Sequence, residues 1–532
     1  LTITVEGEAP LPVPVALDPP AEIAAAAVYF EALEGMRVAF PGEVVVAGPT
    51  HEACGFAVAD AAVAAELPIR QRVVGDPIGR AVPILYPSDL DCAGIPQLRT
   101  GDRLQGVAGA LTYNFDQFKV VIDGAEELEI DLAEEPVLLS VPATTAQQIT
   151  IATINLEDYF DTARDTDVEG EPVLTTGELA ARQAKFAYLI GRALACPTLV
   201  GVQEVEHEAL LRELAAALAG PCGFTYDVTH RESPDARGID NALLSDPRRV
   251  RVSAVALRQT CSPVPTGIAD PSVACEAGQE PLFGRPPLEV ELVVDSQPYV
   301  VYVNHFKSKR GGETETGLER IQQAVYLNGL AAERLAADVE ARLIALGDFN
   351  DMELSAALAL LTDPAQGGRF ANALGAVPLA ERYSYNFGGV VELIDGVLLS
   401  PALAAEVGAA TILHVNADYP VGWRLDAVWP RLAFRATDHD TPWVVLGQWP
   451  ATPTPAPTVA PASSAVPLQT PTSAPPPQST RLPVAVPAPN PITPTPVRAT
   501  SPGSAVSLPL LVVIGAAVVL GTVITVWRFS RR

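Results

Sequence analysis

The chain has 532 residues and 55.9 kDa, with 48% hydrophobic and 18% charged residues, enough apolar content to bury substantial cores. A net charge of −28 excludes a polycation that grips nucleic acid through bulk positive charge. It does not exclude a nuclease, because a local basic strip and a bound metal can offset phosphate charge.

Residues 1–143 alternate short apolar runs with turn residues. The phrases Gly101–Val107 and Phe118–Ile122 predict strands of a small β-barrel, OB-like in character. Such barrels can bind nucleic acid through exposed aromatics, here Tyr113, Phe115 and Phe118, although such rings more often belong to the barrel core. Ser140–Gln148 (SVPATTAQQ) marks a shift in composition and a domain boundary.

From 144 to 448 apolar strands alternate with Ala/Leu-rich helical stretches, which predicts one large α/β domain. Strands are expected at Ile149–Ile154, Leu199–Val202, Tyr299–Val303, Leu343–Leu346, Gly396–Leu399 and Trp443–Leu446. Helices are expected at Gly177–Leu194, His207–Ala219 and Leu318–Ala337. The six cysteines allow 15 connectivities, of which the local pairs Cys54–Cys92, Cys196–Cys222 and Cys261–Cys275 are the simplest.

Residues 449–507 are rich in Pro, Thr and Ser and predict an extended stalk. Leu508–Trp527 is an uncharged run of the length that spans a hydrocarbon core, and Arg528, Arg531 and Arg532 follow it. The pattern predicts a single-pass cell-membrane protein with a transmembrane helix at 508–527, a basic cytoplasmic tail at 528–532 and an extracellular catalytic domain.

Polar residues gather at the ends of the strands in the 144–448 region. They are Asn155, Gln203-Glu204, Arg237 to Asp240, Asn304-His305 to Lys309, Asp348-Phe349-Asn350, Asp395 and Asp438-His439-Asp440. Carboxylates and asparagines supply hard oxygen ligands for Mg²⁺ or Ca²⁺, and imidazoles serve phosphate and proton chemistry. Two of the chain's four lysines, Lys307 and Lys309, fall within Asn304–Lys309.

The motifs NHFKSK (Asn304–Lys309), GDFND (Gly347–Asp351) and TDHD (Thr437–Asp440), in that order, resemble the endonuclease/exonuclease/phosphatase superfamily. That is the fold of deoxyribonuclease I and apurinic endonucleases, and the nearest branch is the bacterial extracellular nucleases of the ExeM/NucH type. The resemblance covers roughly residues 30–448 and is densest from 149. It implies a four-layer α/β sandwich behind an OB-like β-barrel domain.

It also implies roles. Glu204 would be the principal metal ligand, with Asn155 beside it and Asp438 near the ion, which would be Mg²⁺, Ca²⁺ or Mn²⁺. Asp348 would activate the attacking water, Asn350 would hold it or the phosphate, and His439, polarised by Asp395, and His305 would contact phosphate oxygens. Lys307, Lys309 and Arg310 would form a basic strip, Arg237 or Asp240 would orient His305 or touch phosphate, and Tyr385 would line the substrate groove.

The implied activity is metal-dependent hydrolysis of phosphodiesters in extracellular DNA or RNA, with the membrane as the only other partner. One alternative keeps the fold and acts on lipid, inositol or nucleotide phosphates. The other is a non-catalytic surface adhesin.

Overall fold

The computed structural model describes residues 10–62, 78–85, 95–114, 117–124, 128–164 and 171–448, which form a mixed α/β fold. Residues 15–131 contribute one nine-stranded sheet. In the inner strands every second residue enters a common core: Val44 and Val46, Phe56 and Val58, Val82 and Ile84, Val120 and Ile122. That is the period of a pleated strand with one packed face. The helix Ile23–Glu31 closes this core with Ala26 and Phe30, and the Glu22 carboxylate accepts hydrogen bonds from Ala24 and Ala25 N–H at its start.

The two strands expected here form at Arg103–Gln105 and Gln117–Ile122. Phe118 stacks on Phe30 at 5.7 Å, so it belongs to the packing, whereas Tyr113 lies against Phe118 and stays 46% exposed. Phe115 lies outside the described residues.

Two six-stranded sheets follow. The first runs Asp227–His230, Asp240–Ser245, Leu199–Val205, Ile149–Tyr159, Thr441–Leu446, Val407–Leu413. The second runs Val250–Leu257, Leu288–Val294, Gln297–His305, Leu343–Asp348, Asp395–Leu399, Ala371–Asn372. Ile151, Leu199, Leu243 and Val444 of the first share a core with Val290, Val301, Ile344 and Val397 of the second. Adjacent residues face the other way. Ala152, Val200 and Leu244 pack with Phe186, Leu189 and Leu211, and Tyr302, Leu343 and Ala345 pack with Ala324, Leu327 and Leu361. With both faces of each sheet buried, the strands read as near-continuous apolar runs.

The helices behind the first sheet are fixed at their starts. Thr175 and Glu178 form a reciprocal capping box for Thr176–Tyr188, which continues into a wide helical turn at Leu189–Ala193. His207 caps Glu208–Cys222 by accepting from Leu210 N–H at 3.1 Å, and left-handed Gly223 ends it. The long helix behind the second sheet, Glu313–Ala337, begins five residues before its expected start. The expected pairs Cys196–Cys222 and Cys261–Cys275 are formed, and Cys54 is disulfide-bonded, while Cys92 lies outside the described residues.

The membrane expectation is corrected. No helix among the described residues is long and apolar enough to cross a membrane. The longest, Glu313–Ala337, carries Glu313, Glu315, Glu319, Arg320, Glu333 and Arg334 and is amphipathic, so it packs on a sheet instead. Attachment of the chain to the cell membrane with an extracellular catalytic domain is therefore not supported. The Leu508–Trp527 run on which that expectation rested, and the 449–507 stalk, lie outside the described residues.

One buried cation makes stability depend on pH. Lys185 is fully buried and donates to the carbonyls of Arg431 and Phe434 at 2.6 Å each. Burial pulls its pKa down to about 7, against which Asp426 acts only partly. The folded lysine therefore sheds its proton near 7 while an unfolded lysine holds it to about 10.4, so between those values the unfolded chain binds more protons. Stability should rise with pH through that window by an amount on the order of a few kcal/mol. Denaturant unfolding at pH 7 and at pH 9.5 checks this: Lys185→Met should flatten the rise seen in the unsubstituted chain.

Candidate active site

The polar strand ends lie where the two sheets meet. In the first sheet, Ile149–Tyr159 and Leu199–Val205 run parallel with Asn155 opposite Gln203. In the second, His305 is opposite Asp348 on a parallel strand, and Asp348 is opposite Asp395 on an antiparallel one. Register alone thus brings His305, Asp348 and Asp395 abreast. Contact across the sheets is made by Asn155, whose Nδ2 donates to Asp348 Oδ2 at 3.1 Å, and by Glu204, whose Oε1 lies 3.7 Å from His305 Nε2.

Glu204 reaches that position because the ladder is interrupted there. The register between Leu199–Val205 and Asp240–Ser245 shifts between Gln203 and Val205, and Glu204 adopts φ +60°. A bulge of this kind turns a side chain out of the alternating pattern, at the expense of backbone strain for a residue other than glycine. The facing strand is irregular at the same level, with Glu157 and Asp158 at φ +51° and +50°. Asp158 N–H then donates to Glu204 Oε2 at 2.9 Å, and Arg237 bonds both carboxylates. Burial and the neighbouring Glu204 charge push the Asp158 pKa up to about 6, against the pull of Arg237.

Asp348 is the centre of the second group. Its Oδ1 accepts from Asn350 N–H at 2.7 Å, and its Oδ2 accepts from the side-chain amides of Asn155 and Asn350, both at 3.1 Å. Burial and the Asp395 carboxylate raise its pKa to about 7, although His439 and these hydrogen bonds oppose the rise. Asn350, itself at φ +50°, also donates to the carbonyl of Phe306 at 3.2 Å. Ligand atoms of Asp348, Asp395 and His439 converge within 4.8 Å.

The surroundings of the two imidazoles push their pKa values in opposite directions. His439 Nδ1 lies 2.7 Å from Asp395 Oδ2. Burial pulls the His439 pKa down, but Asp395, Asp438 and Asp348 outweigh it and hold the ring well above the ordinary histidine value. His305 is equally buried, with Arg285, Arg237 and His439 around it; burial and these charges keep it neutral, well below the ordinary value. The loop carrying His439 is tied down by Asp440, whose Oδ1 accepts three backbone N–H groups, from Val415, Asn416 and Ala417. Thr437 anchors it to Asn155 O at 2.7 Å.

Asn155, Glu204, His305, Asp348, Asn350, Asp395 and His439 therefore form one cluster. Asp438 sits beside it, 3.8 Å from His439 Nε2 and a third exposed, and the Tyr385 ring lies 4.9 Å from the His439 ring. Of the pair left open in the sequence, Arg237 is the one at the cluster; Asp240 faces His230, Oδ2 to Nε2 at 2.8 Å. The basic strip is partly engaged: Lys309 pairs with Glu392 at 2.6 Å and Lys307 lies 3.8 Å from Glu319, while Arg310 is exposed.

Three participants escaped the sequence reading. Asp158 carries no motif, since only the irregular backbone turns it toward Glu204. Ser384 Oγ accepts the N–H groups of Ile394 and Asp395 and so fixes the histidine's partner. Arg435 pairs with Glu157 at 2.7 Å; burial raises the Glu157 pKa, but Arg435, Arg424 and Arg182 bring it down to about 2. The signal available for Arg435 was its place two residues before Thr437.

Residues 150–416 match the family described as the Endonuclease/Exonuclease/phosphatase family. Residues 18–130 match one described as a domain of unknown function (DUF8508). No curated protein matches the chain. Among solved structures, truncated Caenorhabditis elegans TDP2 is 13% identical with a TM-score of 0.39, over 57% of this chain and 98% of that one. An endonuclease/exonuclease/phosphatase family protein from Bacteroides thetaiotaomicron is 16% identical with a TM-score of 0.37, over 56% and 97%. The human Nocturnin catalytic domain, with bound sulfate, is 15% identical with a TM-score of 0.36, over 56% and 93%.

Proposed function

The chain belongs to the endonuclease/exonuclease/phosphatase family, and from that premise we propose that it is a metal-dependent hydrolase of phosphodiester bonds in DNA or RNA. The observation that carries the reading is the Asp348 carboxylate. Two asparagine side chains and a backbone N–H orient it, its pKa stands at about 7, and the charged His439–Asp395 pair is beside it. A base that titrates near neutrality beside a held imidazolium suits attack of water on a phosphate. The NHFKSK, GDFND and TDHD motifs favour nucleases of the ExeM/NucH type within the family, and the three cores favour a four-layer sandwich.

The donor set fits a divalent cation. Asp158 and Glu204 lie close together on adjoining bulges; burial first and the Glu204 charge second raise the Asp158 pKa, and a bound cation relieves that repulsion. Glu204, Asn155 and Asp438 would hold the ion, Mg²⁺ by the hardness of these oxygens, with Ca²⁺ and Mn²⁺ as the other candidates. When bound, it would supply Lewis-acid neutralisation of charge on the phosphate. The protein's own groups do the rest. Asp348 takes a proton from water, Asn350 and Asn155 fix that carboxylate, His439 holds a proton toward a phosphate oxygen, and neutral His305 offers a second hydrogen bond. Arg237 restrains Glu204.

Glu204→Gln should raise the Mg²⁺ concentration for half-maximal activity by about tenfold or more, measured by titrating the ion into a nicking assay. An unchanged Mg²⁺ midpoint would remove Glu204 from the ion.

One observation favours hydrolysis of a small phosphoester instead. Lys307 and Lys309 face Glu319 and Glu392, and the chain is strongly acidic, which leaves less positive surface for a polyanion. Comparing turnover of single-stranded DNA, plasmid and nucleotide monoesters separates the two readings: preference for the monoesters would overturn the nuclease.

A further inference from the structure

The strands Tyr385–Phe387 and Val390–Glu392 form a hairpin at the rim of the site. It carries Tyr385 against His439 and Glu392 against Lys309. It follows directly on Ser384, which fixes the backbone of Asp395 and whose carbonyl accepts Asp440 N–H at 2.7 Å. The outer side of the hairpin rests on the N-terminal sheet. Asn386 Nδ2 reaches Ala47 O at 3.1 Å and Thr100 Oγ1 at 3.3 Å on the N-terminal side, and Asp418 Oδ1 at 2.9 Å on its own side. At the turn, backbone meets backbone. A Cβ on Gly48 would stand 2.3 Å from Gly389 N, and one on Gly389, which is at φ +84°, would meet Ala47 and Ala57 at 3.1 Å.

A second seam runs alongside. Thr100 N–H donates to Asp418 O at 3.0 Å, Gly422 N–H to Gln97 Oε1 at 2.8 Å, and Arg424 pairs with Glu52 at 2.9 Å. Such a seam has backbone-to-backbone fit and directional polar bonds on both sides of the hairpin's base. An N-terminal module joined only by a tether would need neither.

We propose that the N-terminal sheet is a working part of the active site: it seats the 385–392 hairpin so that Tyr385 stands against His439, with Asn386 as the positioning residue. The proposal rests on the phosphodiesterase reading for its kinetic consequence, and on the seam alone for its structural one. It assigns a role in catalysis to the region that matches a domain of unknown function.

The test uses the full chain with two substrates, single-stranded DNA and the small diester bis(p-nitrophenyl) phosphate, and two variants, Asn386→Ala and Gly48→Ala. Both should lower kcat on the small diester by about tenfold or more, because misplacement near the reacting groups acts on the chemical step. Hydrogen exchange should show faster exchange at residues 385–392, with the strand Leu343–Asp348 unchanged. Asn386→Ala combined with Tyr385→Ala should be no worse than Tyr385→Ala alone, since residues acting through one another are not additive.

Should Gly48→Ala fail to fold, Asn386→Ala carries the test by itself. An effect confined to KM for DNA, with kcat on the small diester unchanged, would overturn the proposal and make the N-terminal sheet a substrate-binding module. Unchanged exchange in the hairpin of both variants would overturn it too, whatever the activity. If the unsubstituted chain turned over neither substrate while the exchange result held, the phosphodiesterase reading would fail and the structural seat would stand.

Discussion

Asp348→Asn should lower phosphodiester turnover by about three orders of magnitude, the range expected for loss of a positioned base. The substitution is nearly isosteric, so the loss should not come from unfolding. Asn350 N–H, Asn350 Nδ2 and Asn155 Nδ2 all point at this carboxylate, and all are donors, so the site is built for an acceptor. An amide there keeps one acceptor oxygen and cannot take a proton from water.

The same substitution has a stability signature of known sign. Burial and Asp395 raise the Asp348 pKa from 3.8 to about 7. Between those values the folded chain binds the extra proton, so the carboxylate weakens the fold progressively as pH rises through about 7. In EDTA, the melting temperature of Asp348→Asn relative to the unsubstituted chain should therefore be more favourable at pH 8 than at pH 4. Full turnover by the variant would show that Asp348 is not the base, and a melting-temperature difference independent of pH would show that it is not a crowded carboxylate.

His439→Ala should cost about two to three orders of magnitude in turnover, as does removing a preorganised donor to developing charge. The imidazolium is maintained against full burial by Asp395, Asp438 and Asp348. Removing it leaves Asp395 buried without its partner, while Asp395 Oδ1 already lacks a hydrogen bond among the described residues. A drop in stability is therefore expected alongside the loss of activity, and a gentler variant separates the two. Asp395→Asn removes the charge that raises the His439 pKa, so the ring loses its proton at lower pH. The alkaline limb of the pH–rate profile should move down by about a unit or more, since a close carboxylate shifts a partner by that much. An unmoved limb would mean that His439 does not act as the cation.

The sequence was most legible where a residue's surroundings are local or set by register. The apolar runs located the strands, but the expected ends fell short. Tyr299–Val303 extends to His305, Leu343–Leu346 to Asp348, and Ile149–Ile154 to Tyr159. A hydrophobic-run reading stops at the last apolar residue, and in this fold the polar groups continue the strand into the site. What stayed hidden depends on irregular backbone or on distant partners. The bulges that turn Glu157, Asp158 and Glu204 have no pattern in composition. Asp240 could be assigned to His305 or to phosphate from sequence, yet it faces His230. Lys307 and Lys309 were expected in a basic strip, but Glu319 reaches Lys307 from the helix that follows and Glu392 reaches Lys309 from a hairpin remote in sequence. The membrane expectation rested on Leu508–Trp527, which lies outside the described residues.

The measurement that bears most directly on the account is incubation of the full chain with supercoiled plasmid, in Mg²⁺ and in EDTA. Conversion to nicked circles is expected in Mg²⁺, with none in EDTA and none with Asp348→Asn at the same protein concentration. Plasmid and linear DNA that both stay intact with Mg²⁺, Mn²⁺ and Ca²⁺ would contradict it.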